Sequence, residues 1–373
     1  MNVPIQDLTR HNQPIAGALA EACREVIESG WYVLGRQVAS FEAEFARFLQ
    51  IEHCVTVANG TDALELAMRA VGVERGDEVI LAANAGMYST VAALAIGATP
   101  IYAEIDEQRL SLSFTAIERA FSSSTKAVVL THLYGCSGYV EEIAQLCRSA
   151  EIPLIEDCAE SHGARVAGKA VGGWGDVGCF SFYPTKNLGA LGDGGACTTH
   201  RSDIAAQLRH LRQYGWEARY RAVTAGGRNS RLDEIQAAIL RRKLPHLNEW
   251  NARRRAIALR YNEAFSKLPI KCPWIDGDAY VGHLYVARVP NRDAFREALK
   301  SRGVATDVHF PLPDYRQPAI ASQLGKRWEL SLTEEACATV VTLPCFPEME
   351  DKEIEYVISA VRDAVTQTRT RAR

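Results

Sequence analysis

The sequence predicts an α/β protein, a large unit with a mainly parallel sheet between helices followed by a smaller α+β unit. Three observations carry this reading. Before Pro245, short apolar runs alternate with segments of helical period, the pattern of a sheet covered on both faces. Glycine-rich or polar residues follow the same end of each run, where parallel sheets gather ligands. After Pro245 a long Arg-rich helix and a shorter strand–helix alternation take over, so we divide the chain into 1–245 and 246–373.

Residues 50–57 read as a strand that enters Ala58-Asn59-Gly60-Thr61-Asp62, and Ala63, Leu64, Leu66, Ala67 and Ala70 then recur at helical spacing. A glycine turn at a helix start presents backbone N–H groups and the positive dipole end, which suits a phosphate. Simple capping by Thr61 or Asp62 would use the same residues. Residues 77–82 form the next strand, followed by Tyr88 and a helix with Val91, Leu94, Ala95 and Ala98 on one face. Tyr88 either fills core space with a polar tip or lies flat against a planar ligand. Residues 127–132 and 153–159 are further strands, separated by a helix over 143–150, and the second strand carries Asp157 near its end.

The stretch Cys179-Phe180-Ser181-Phe182-Tyr183-Pro184-Thr185-Lys186-Asn187-Leu188-Gly189 starts apolar and breaks into a loop that continues through Gly192, Gly194 and Gly195. A lysine at such a break is a candidate for covalent amine chemistry, although a lone lysine more often snorkels to solvent. Lys186 is not alone. Asp157 precedes it by 186 − 157 = 29 residues, room for a loop and one more strand. Pyridoxal phosphate needs a lysine to capture its aldehyde and an acid to keep its ring nitrogen protonated. Asp157 and Lys186 supply both.

Composition sets the bounds. With 47% hydrophobic and 23% charged residues the chain is an ordinary globular protein, and a net charge of −3 gives no sign of a nucleic-acid or membrane partner. The start lacks a secretory signal, and no apolar stretch is long enough to span a membrane. Ten scattered cysteines without a C-x-x-C pair point to reduced core residues in the cytoplasm and to no metal.

The motif Ser181-Phe182-Tyr183-Pro184-Thr185-Lys186-Asn187-Leu188-Gly189-Ala190-Leu191-Gly192-Asp193-Gly194-Gly195 resembles that of the DegT/DnrJ/StrS nucleotide-sugar aminotransferases, fold type I pyridoxal phosphate enzymes. The resemblance extends from Gly35-Arg36-Gln37-Val38 to Leu343-Pro344-Cys345-Phe346-Pro347. It implies pyridoxal 5'-phosphate as cofactor. Gly60, Thr61 and the Ser181 hydroxyl would hold its phosphate, Tyr88 would stack on its ring, and Asp157 would face the ring nitrogen. Lys186 would be the covalent anchor and proton carrier. Asn229, in Arg228-Asn229-Ser230-Arg231, resembles an asparagine that reaches the partner subunit's phosphate site, which implies a homodimer with shared sites; the bare alternative is a cap for the next helix. Tyr183 and His309, the latter in a His-Phe-Pro loop, match substrate-site positions. One position departs from the family. Glu160 stands where glutamine commonly faces the cofactor's phenolic oxygen, and a carboxylate there repels that oxygen unless it is protonated or paired with a base such as His162.

The activity implied is transamination from an amino acid, glutamate, to a keto-sugar carried on a nucleotide. Relatives that dehydrate carry histidine where Lys186 stands. The wording around Lys186 resembles members that act at C3 of dTDP-linked 3-keto-6-deoxyhexoses. A C4 aminotransferase on a dTDP- or UDP-linked 4-keto sugar and a pyridoxal-binding regulatory protein without turnover are the alternatives.

Overall fold

The computed structural model of the chain describes residues 1–322 and 328–371, and a seven-stranded sheet lies at its centre. Its strands are β1 (His53–Val57), β2 (Glu78–Leu81), β3 (Thr99–Tyr102), β4 (Thr125–Thr131), β5 (Leu154–Asp157), β6 (Val177–Ser181) and β7 (Gly195–Thr199), in the order β1-β7-β6-β5-β4-β2-β3. The five from β6 to β3 run parallel, whereas β7 is antiparallel to both β6 and β1. Strands covered on both faces need apolar side chains on both. In β4, Val129 joins Leu66 and Ile155 on one face, while Val128 and Leu130 join Ile80 and Ile143 on the other. Beneath the β6 end, Phe41 and Phe45 of α1 (Arg36–Leu49) meet Phe180 and Phe182 edge-on at 5.1–5.6 Å. That aromatic block carries the apolar half of the lysine motif. At the start of α1, the Glu234 carboxylate accepts from the N–H groups of Gly35, Gln37 and Val38, which the helix itself cannot satisfy.

Two helices follow β1 and β2. The first, α2 (Gly60–Ala70), begins at the expected glycine turn, but its cap is Asn59, not Thr61 or Asp62: the Asn59 side chain accepts from Asp62 N–H at 2.8 Å. The second, α3 (Tyr88–Ile96), turns a different face inward than its apolar spacing predicts. Ser89, Thr90, Ala92, Ala93 and Ile96 are buried, while Val91 is 45% exposed. The reason is polar. Thr90 reaches the buried carboxylate of Asp314 at 2.6 Å, and this bond sets the rotation of a helix that is apolar nearly all round.

A second core gathers around the antiparallel pair β8 (Tyr285–Arg288) and β9 (Val340–Leu343). It contains Tyr261 and Phe265 of α5 (Leu247–Phe265), Leu299 of α6 (Arg292–Lys300) and Val357 and Val361 of α7 (Asp351–Arg371), α4 being Val140–Ser149 under the main sheet. Val3 belongs to the same core and bridges to Val304. The Arg-rich helix α5 is not the solvated connector that its composition predicts. Arg253 and Arg260 pair outward with Asp351, but Arg254 is buried and donates to the Cys345 carbonyl at 2.6 Å. Residues 214–227 contain a short ribbon of Trp216–Ala218 against Arg221–Ala222. All ten cysteines are free, and among the described residues no helix is long and apolar enough to cross a membrane.

Candidate active site

A cavity of about 540 Å³ opens where β4, β5 and β6 end, lined there by Thr131, Asp157 and Ser181. Its far wall comes from the second core, through His283, Asp307, His309 and Thr342. Parallel strands deliver side chains to this edge because their connections leave the sheet there.

At one corner lies a cradle for an anion. With Asn59 occupying Asp62 N–H, the N–H groups of Gly60 and Thr61 have no carbonyl within the helix to bond. Both residues line the cavity, as does Ser181. The cradle requires glycine: a Cβ on Gly60 would stand 2.7 Å from Ser181 Cβ, and one on Gly195 would stand 2.4 Å from the Asn59 carbonyl oxygen. Neither contact is tolerable, so the backbone of β7 and the start of α2 approach as closely as chains can.

Asp157 ends β5 and is buried, with Ala159 N–H donating to Oδ1 at 3.2 Å and the Thr131 hydroxyl to Oδ2 at 3.4 Å. Burial pushes its carboxyl above the ordinary range, against the Ala159 N–H. A protonated ring nitrogen opposite it would supply the missing positive partner. Its neighbour Glu156 points the other way and anchors the strand end. Although burial opposes its charge, His132 at 3.0 Å and the N–H groups of Gly172 and Gly175 hold Glu156 below the usual carboxylate range. His132 N–H in turn donates to the Asp157 carbonyl at 3.0 Å.

Lys186 follows β6 and reaches back into the cavity, its Nζ 3.3 Å from Glu160 Oε1. Glu160 Oε2 accepts Tyr134 N–H at 2.7 Å, and His283 Nε2 lies 3.7 Å from Oε1. This corrects the expected partner. His162 does not serve Glu160; it lies between Phe180 and Phe182 at centroid distances of 5.5 and 5.8 Å, and burial pushes it down to about 3.

Tyr88 starts α3 half exposed beside the cavity, with Phe310 edge-on at 6.1 Å. The loop before it is held by Asp314, whose Oδ1 accepts Met87 N–H at 3.0 Å. Tyr183, 52% exposed, lines the mouth. His309 also lines it, with Nδ1 2.8 Å from the Thr342 hydroxyl. Asn229 is exposed and bridges to Gln213; it neither lines this cavity nor caps the following helix, whose N-cap is Asp233. Gly60, Thr61, Tyr88, Asp157, Glu160, Ser181, Tyr183, Lys186 and His309 are thus brought to one cavity, and Asn229 is not.

The cavity also holds residues that the sequence reading passed over: His283, Asp307, Arg254 and Gln6, whose side-chain amide donates to the Thr185 carbonyl at 3.1 Å. His283 carries a signal of its own: a histidine between Gly282 and an apolar run. The pieces fit pyridoxal phosphate on chemical grounds, with a glycine cradle for its phosphate, a half-exposed aromatic, a buried acid that forms no ion pair among the described residues, and an amine in reach.

Residues 14–362 match the DegT/DnrJ/EryC1/StrS aminotransferase family. A relative from Aneurinibacillus thermoaerophilus, dTDP-3-amino-3,6-dideoxy-alpha-D-galactopyranose transaminase, is 42% identical over 360 residues, 96% of this chain and 98% of that one. The crystal structure of Streptomyces venezuelae DesV superposes with a TM-score of 0.94 at 39% identity, covering 97% of this chain and 98% of that one. NtdA from Bacillus subtilis, solved with bound cofactor PMP, superposes with a TM-score of 0.92 at 27% identity over 98% of this chain and 85% of that one. Further relatives are named for amination at the 3-position of UDP-linked sugars.

Proposed function

Because the chain belongs to the DegT/DnrJ/EryC1/StrS aminotransferase family and is a pyridoxal phosphate-dependent sugar aminotransferase, we propose that it aminates C3 of a dTDP-linked 3-keto-6-deoxyhexose with glutamate as donor. The observation that supports this most is the 42% identity, over nearly the whole chain, to a transaminase named for such a product.

When bound, the cofactor supplies an electron sink conjugated to the carbon that exchanges its amino group. This chain's residues do the rest. Asp157 holds the proton on the ring nitrogen, where its buried carboxylate gains a counter-charge. Gly60, Thr61 and Ser181 would hold the phosphate, and Tyr88 would lie against the ring. Lys186 would carry the proton to and from the donor Cα. Tyr183 and His309 guide the sugar at the mouth. Asn229, exposed on its own chain and away from its own cavity, suits a contribution to a second copy's phosphate site. We read residues 1–245 as the cofactor-binding unit and 246–373 as the smaller unit that closes the cavity, in a homodimer of the cytoplasm, where ten free cysteines stay reduced.

The test is incubation with glutamate and a panel of dTDP- and UDP-linked 3-keto and 4-keto sugars, with the new amine located by NMR. An amine at C3 of the dTDP sugar is expected. Amination at C4 would contradict the proposal, and exclusive use of UDP sugars would overturn its nucleotide.

A further inference from the structure

Behind Glu160 runs a chain of buried side chains whose hydrogen-bond directions are fixed at both ends. Asn251 Nδ2 donates to the His162 carbonyl at 2.8 Å, which turns Asn251 Oδ1 toward Asn187. Asn187 Nδ2 donates to that oxygen at 2.8 Å and to the Val281 carbonyl at 3.1 Å. A backbone carbonyl can only accept, so neither amide can be reversed without losing a buried bond. Asn187 Oδ1 therefore faces His283 Nδ1, at 3.0 Å, as an acceptor, and Nδ1 must carry the hydrogen. A neutral imidazole has one hydrogen. Nε2 is then bare, and it is the nitrogen that faces Glu160 Oε1 at 3.7 Å.

We propose that His283 is a positioning residue that shares one proton with Glu160, received from Lys186. The Nζ–H bond of the Lys186 ammonium breaks across the 3.3 Å to Glu160 Oε1, an Oε1–H bond forms, and that O–H turns toward the bare Nε2 of His283, which closes the present 3.7 Å to accept it. Lys186 is left as the free amine that covalent capture needs. Glu160 loses its fixed negative charge when it must face the cofactor's phenolic oxygen, so the pair does there what an amide side chain would do. This rests on the reading of the cavity as a pyridoxal phosphate site.

Burial, then Lys186 and Arg254, push His283 well below its ordinary value, so it is neutral while the ammonium is present. Discharging Lys186 removes the second of these causes. His162 and His309 also face the imidazole, and Asp157, Tyr88 and Tyr134 lie around Glu160.

Two measurements test it. In the cofactor-free protein with ¹⁵N-labelled histidine, NMR at neutral pH should find His283 as the Nδ1–H tautomer; an Nε2–H tautomer or an imidazolium would overturn the proposal. In the holoenzyme, His283→Phe should shift the pH midpoint of the cofactor absorbance by about one unit, and the same change in a Glu160→Gln background should shift it no further. Equal shifts in both backgrounds would mean that His283 acts on packing alone and would overturn the shared proton. A protein that takes up no cofactor would overturn the cofactor reading and this role together, whereas the wrong tautomer removes this role alone.

Discussion

A carboxyl group as buried as Asp157 costs free energy on ionising when its neighbours are one backbone N–H and one hydroxyl. A pyridinium proton facing it would turn that cost into attraction, so Asp157→Asn should bind cofactor yet lose turnover. We expect kcat to fall at least a hundredfold, each tenfold being about 1.4 kcal/mol of barrier, while cofactor absorbance persists; near-normal kcat would place the acid elsewhere. Asp157 and Lys186 were legible because each is an unusual residue at a strand end. The partner of Glu160 was not. Local sequence offers His162, whereas the fold buries that ring between two phenylalanines and brings His283 in from just before β8.

Among the elements, α3 shows where periodicity misleads. Its residues are apolar on most sides, so the spacing of Val91, Leu94 and Ala95 carries little information, and one buried bond from Thr90 to Asp314 decides which face turns in. Asp314 comes from the segment beyond His309, too distant in sequence to be paired with Thr90 by inspection. Burial raises its carboxyl to about 7, far above the ordinary carboxylate range, despite the Thr90 and Met87 bonds. The folded state thus binds this proton more tightly than the unfolded state. The stability from Asp314 is full below its unfolded value and is lost as pH rises toward 7. Asp314→Asn removes the ionisation, and Thr90 can redirect its hydroxyl to Tyr102, 3.2 Å away. Its Tm should exceed the parent's by at least about 2 °C near pH 8, and the gap should close as pH falls below the ordinary carboxylate value. A gain that does not change with pH would show that Asp314 is not the titrating group. By contrast the strand positions, the glycine turn and the lysine loop were all readable, because burial on two faces and close backbone approach restrict residue choice directly.

For the whole molecule, Asn229 is exposed and lines no part of its own chain's cavity. If each copy lends Asn229 to its neighbour, Lys186→Ala and Asn229→Asp chains should each be nearly inactive but complement one another. Random re-assortment makes about half the dimers mixed, each with one intact site, so roughly a quarter of parental activity should return. No recovery from mixtures that still dimerise would assign Asn229 to its own chain. The account as a whole stands on which lysine meets the cofactor. Lys243 is the rival amine: it is buried, bonds the Gly189 carbonyl at 2.8 Å, and burial pushes it down to about 8. Borohydride reduction of the holoenzyme, followed by digestion and mass spectrometry, should therefore put the cofactor's mass on the peptide that carries Lys186. The same mass on the peptide that carries Lys243 would contradict it.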